Sequence, residues 1–132
     1  MPEKLSKDTN ALNWFEIPVT DTARAKKFYE TILDVPMEST DMMGMEMVMF
    51  PYADDANGKV SGALVKSEYH TPSAEGALIY LNANPNIQDV QDRVEAAGGK
   101  VVMPRMLISE DVGYMAFIMD TEGNRVGLHA SN

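Results

Sequence analysis

Apolar residues recur along the chain with two different periods. Leu12 to Val19 is rich in β-forming residues, interrupted by polar Asn13 and Glu16, and predicts a strand. Asp21 follows with a side chain able to accept an unpaired N–H of a first helical turn. Ala25, Phe28, Tyr29 and Ile32 then stand at helical spacing and predict a helix over about Thr22 to Leu33, closed by Pro36. Met43, Met45, Met47 and Met49 alternate with Gly44, Glu46, Val48 and Phe50, the period of a strand. Pro51 to Gly58 is turn-rich, and Val60 to Lys66 predicts another strand.

The second half repeats this order. Gly76 to Ala83 predicts a strand, Asn86 a helix cap, and Ile87, Val90, Val94 and Ala97 one helical face. Gly98-Gly99 ends that helix, because glycine tolerates the left-handed conformation found there. Lys100 to Met103, stopped by Pro104, then Tyr114 to Met119 and Asn124 to Ala130 predict three strands. Asp21 falls on Asn86, Gly58 on Gly123 and Gly62 on Gly127 at one constant offset, while Gly44 reaches Gly113 only with a wider one. The pattern is a duplicated strand–helix–strand–strand–strand unit. It predicts an α+β fold: one domain over residues 1–132, module one at about 12–66 and module two at about 76–131, joined by the polar linker Ser67 to Glu75. One helix covers one face of its own sheet. The other faces must meet across a pseudo-twofold axis or in a second subunit, and two curved sheets facing each other would enclose a cup suited to a small ligand.

Composition narrows the function. The chain has 132 residues, 45% apolar and 23% charged, as in a soluble globular domain. With 11 basic and 20 acidic residues its net charge is −9, which disfavours nucleic acid and anionic membranes as partners. The absence of cysteine excludes disulfides, thiol nucleophiles and thiolate-ligated metals. The polar stretch Met1 to Asn10 carries no signal-like apolar run, and no segment approaches the roughly 20 apolar residues of a spanning helix, so a cytoplasmic location is expected.

Four stretches resemble the vicinal oxygen chelate superfamily of glyoxalase I, bleomycin-resistance proteins and extradiol dioxygenases. They are Trp14-Phe-Glu-Ile-Pro-Val-Thr-Asp21, Arg24-Ala-Lys-Lys-Phe-Tyr-Glu30, Val94-Glu-Ala-Ala-Gly-Gly-Lys-Val101 and Asp120-Thr-Glu-Gly-Asn-Arg-Val-Gly-Leu-His129. The resemblance implies paired βαβββ modules, commonly dimers, and in catalytic members one divalent metal held in the cup by His, Gln or Glu from the first and last strands of each module. Carried over by spacing, those positions are Trp14, Gly62, Ile79 and Gly127, or Asn13, Ala63, Tyr80 and Leu128 with a slip of one. None of the eight is His, Asp or Glu, so neither the family metal nor any other cofactor is expected.

Other polar residues are then weighed. Glu16 and His129 each lie two residues beyond a ligand position and should face the cup. They read as an acid–base pair or displaced metal site, or, with more weight, as a hydrogen-bonded structural pair. The methionines, Met47 and Met115 among them, read as an adaptable pocket wall or as core. Trp14 could stack on a planar ligand or plug the cup. Asp54-Asp-Ala-Asn-Gly58 lacks the carboxylates a calcium loop needs, and His70 reads as an exposed linker histidine. The resulting expectation is a homodimer, lacking the family metal ligands, that binds a small, partly apolar molecule through Trp14, Glu16, Met47, Met115 and His129. The alternatives are a glyoxalase-like lyase or isomerase with an unconventional site, its catalytic candidates Glu16 and His129, and a structural dimer with a filled cup.

Overall fold

The computed structural model describes residues 3–53 and 59–132. Module one contains β1 (Trp14–Pro18), α1 (Thr22–Leu33), β2 (Glu38–Met42), β3 (Met45–Met49) and β4 (Ser61–Lys66). Module two contains β5 (Tyr80–Asn82), α2 (Ile87–Val94), β6 (Lys100–Ser109), β7 (Gly113–Met119) and β8 (Arg125–Ala130). The strand orders are β1-β4-β3-β2 and β5-β8-β7-β6, so the two mixed sheets repeat one topology about a pseudo-twofold axis. In each, the first strand pairs parallel with the last and the other pairings are antiparallel. This is the expected α+β architecture of two βαβββ modules with a cup-like form.

The caps act as the sequence predicts. Asp21 accepts the Arg24 N–H at 3.0 Å and Asn86 accepts that of Gln88 at 2.9 Å. Strand β2 was not foreseen: Glu-Ser-Thr-Asp-Met has no apolar alternation because both its faces are exposed at a sheet edge. Met43 belongs to the β2–β3 turn, where Met43 and Gly44 have φ of 54° and 76°, the conformation of a tight hairpin. Strand β6 runs through Pro104 to Ser109, which its edge position permits since the register slips around the proline. Residues 54–58 lie outside the described part, and with them the Asp54 to Gly58 reading and the Gly58 anchor of the repeat.

Each helix rests on its own sheet and the two helices rest on each other. The buried faces form one core across both modules, centred on Phe28, Tyr29, Ile32, Leu64, Ile87, Ile118 and Leu128. A polar clasp also joins the modules. Tyr29 of α1 donates to buried Asp120 at 2.7 Å, and Asn124 donates to the Pro18 carbonyl at 2.7 Å. Glu122, in the β7–β8 turn, accepts from the Thr20 and Asp21 N–H groups and from Arg24. No helix among the described residues is long and apolar enough to cross a membrane.

Candidate functional site

The faces turned away from the helices carry the candidate chemistry. On the first sheet, strand register aligns Glu16, Ala63, Met49 and Glu38 in one row, and Pro18, Val65, Met47 and Thr40 in the next. Met45, Met47 and Met49 pack there with Ala63 and Val65, separate from the main core. On the second sheet the corresponding rows are Tyr80, Gly127, Phe117 and Met103, then Asn82, His129, Met115 and Met106. Trp14, Glu16 and Met47 therefore share the face of one sheet turned away from its helix, and Met115 and His129 that of the other.

The expected pairing of Glu16 with His129 does not form. Glu16 bonds to His70 Nε2 at 2.7 Å and accepts the Trp14 indole N–H at 3.2 Å. His70 was the residue that sequence reading missed. The parallel β1–β4 pairing carries the turn after β4 back over Glu16, a juxtaposition across 54 positions that no local pattern reveals. The hydrogen-bond directions are self-consistent. The Tyr69 N–H donates to Ser67 Oγ at 3.0 Å, so the Ser67 hydroxyl proton is free to donate to His70 Nδ1 at 2.6 Å. The neutral ring then keeps its Nε2 proton for Glu16. Both ring nitrogens are engaged, and the chain of bonds ties the linker after β4 to β1. Trp14 does not plug a cavity: it is 39% exposed beside Glu16.

His129 has a different situation. Its Nε2 bonds to the Val112 carbonyl oxygen at 2.6 Å. A carbonyl only accepts, so Nε2 carries a proton, and in the neutral ring Nδ1 then holds a lone pair with no partner among the described residues.

The family metal position can be tested against these faces. Trp14, Ala63, Tyr80 and Gly127 lie on the faces turned away from the helices, whereas Ile79 and Leu128 pack into the core and Gly62 lies beneath Phe15. A Cβ on Gly127 would sit 2.6 Å from Tyr80 Cδ2, so the tyrosine ring occupies the space a donor side chain there would need. No cluster of three or more His, Cys, Asp or Glu able to hold a metal exists among the described residues. The chain therefore does not fit the divalent metal of the catalytic relatives.

A hollow of about 790 Å³ lies elsewhere, between the modules. Phe15, Leu33, Val35, Phe50, Ile79 and Leu81 give it apolar walls, and Ser61, Asn82 and Asn84 supply polar groups. Among the described residues, no carboxylate, lysine, arginine or histidine lines it.

Comparison with known proteins bears on family and fold. The chain is 31% identical over its full length to "Putative glyoxylase CFP32" of Mycobacterium bovis and Mycobacterium tuberculosis, and spans half the length of those relatives. A glyoxalase/bleomycin resistance protein from Albidiferax ferrireducens superposes with a TM-score of 0.66 at 17% identity, covering 92% of this chain and 98% of that one. A glyoxalase I mutant from Zea mays gives 0.67 at 22% identity, over 91% of this chain and 46% of that one. The family model for the Glyoxalase/Bleomycin resistance protein/Dioxygenase superfamily matches residues 11–128, and the chain belongs to that superfamily.

Proposed function

We propose that the chain binds a small, largely apolar, uncharged molecule in the hollow between its modules, without a metal at the family position. The observation that carries this reading is the hollow itself. Its volume of about 790 Å³ suits a ligand of ordinary drug size, and aliphatic and aromatic walls with a few amide and hydroxyl groups are the usual make-up of such sites. A charged ligand would find no counter-charge among the described lining residues. This revises the expected lining, because Trp14, Glu16, Met47, Met115 and His129 do not border the hollow.

The experiment is a thermal-shift screen of neutral aromatic and aliphatic compounds against the wild type and Val35→Phe, whose larger side chain narrows the hollow. A ligand at 100 times its Kd adds about 2.7 kcal/mol to stability. Hits should raise the melting temperature of the wild type and fail on Val35→Phe. Hits that stabilise both proteins equally would place the ligand elsewhere.

A homodimer belongs to the same reading. Val102, Leu107, Ile108 and Val112 leave apolar surface on and beside edge strand β6, of the kind a second copy covers. Light scattering at micromolar concentration should return about twice the 14.6 kDa chain mass, and a monomer at every concentration would refute it.

A further inference from the structure

We propose that the open face of the second sheet holds a binding site for a soft monovalent metal ion, Cu(I), formed by His129, Met115 and Met106. Strand register places these residues in one row: His129 stands directly opposite Met115 on β7, and Met115 directly opposite Met106 on β6. Directly opposed side chains have Cβ atoms about 5 Å apart, and the long flexible arms of methionine let both thioethers reach one point above the row.

Three observations point to a ligand rather than to packing. First, His129 is tied through Nε2 to the Val112 carbonyl oxygen at 2.6 Å, which fixes the tautomer and leaves Nδ1 as an available donor. A ligating histidine commonly has its other nitrogen held in this way. Second, the Tyr80 hydroxyl donates to Met115 Sδ at 3.9 Å, and a thioether sulfur so held keeps its second lone pair for an ion. Third, Met106 is 46% exposed and Met115 and His129 are partly exposed, so an ion has access.

The donor set selects the ion. Two thioethers and one neutral imidazole are soft and borderline ligands that suit Cu(I). Zn²⁺ and Mn²⁺ favour thiolate, carboxylate or additional imidazole ligands, and no other such side chain joins the row. The neutral set leaves a single positive charge on the bound ion, which the chain's net charge of −9 favours. The site is distinct from the family metal position, where the Tyr80 ring fills the space, and from the hollow between the modules.

The test uses Ag(I), a redox-stable probe of the same softness, titrated into the full chain with the methionine methyl groups and histidine ring signals followed by NMR. One equivalent should bind and shift Met106, Met115 and His129 together. His129→Gln, which can still donate to Val112, and Met106→Leu should each weaken binding at least about tenfold, while Met43→Leu, at an 88% exposed methionine in the β2–β3 turn, should not. Anaerobic Cu(I) competition with a chromophoric chelator should give the same order of variants. The proposal is overturned if His129→Gln binds Ag(I) like the wild type, if Met43→Leu weakens binding as much as Met106→Leu, or if Zn²⁺ displaces the silver ion. Met106 lies on an exposed edge strand, so its variant keeps the test valid if a change at Met115 disturbs folding.

Discussion

Replacing Glu122 by Gln should weaken the joint between the modules in a way that depends on pH. The Glu122 side chain has no solvent exposure, and burial alone would raise its pKa. Hydrogen bonds from Arg24, from the Thr20 and Asp21 N–H groups and from the Thr121 hydroxyl outweigh that, and bring the pKa from 4.5 to about 2. Each pKa unit is worth roughly 1.4 kcal/mol, so the gap corresponds to about 3 kcal/mol, reduced to about 2 because Arg24 is half exposed and screened. The folded-state pKa is depressed, so this stability is present above the unfolded value and is lost as pH falls through the folded one. More than half should be gone by about pH 3. The assay is urea denaturation of wild type and Glu122→Gln across pH 7 to 3. The variant should be about 2 kcal/mol less stable at pH 7, melting roughly 6–10 °C lower, and the two should converge toward pH 3. A difference that did not change with pH, or no difference at pH 7, would refute the charge-based account. Arg24→Met should lose only part of the effect, because the two backbone donors remain.

Three further outcomes follow from the same geometry. Tyr29→Phe leaves buried Asp120 short of its 2.7 Å hydroxyl donor and should cost about 1–3 kcal/mol in chemical denaturation, and a loss under about 0.5 would show the bond to be energetically idle. Gly127→Glu restores a family-type donor but drives its Cβ into the Tyr80 ring; it should destabilise by about 1–3 kcal/mol, and Tyr80→Ala should recover much of that in a double-mutant cycle. Trp14 points away from the face that Phe15 presents to the hollow, so a ligand bound there should leave its emission nearly unchanged, whereas His70→Ala, which frees Glu16, should shift it.

What the sequence by itself determined was whatever depends on neighbours in the chain. The spacing of Ala25, Phe28, Tyr29 and Ile32 defines the α1 core face, Asp21 and Asn86 cap their helices, and the repeated order of elements reveals two modules. The lack of donors at the family metal position was also legible, because identity alone decides whether a residue can ligate. Only the tertiary structure decided which residues meet. Glu16 pairs with His70 because a parallel strand pairing returns the chain over β1, and His129 turns to a backbone carbonyl whose place depends on the β6–β7 connection. The row of His129, Met115 and Met106 exists only in cross-strand register, which slips repeatedly along β6 and so is not set by alternation within any one strand. The hollow is likewise a space between modules, bordered by β1, the end of α1 and β5, and such a space is a property of assembled surfaces rather than of any segment.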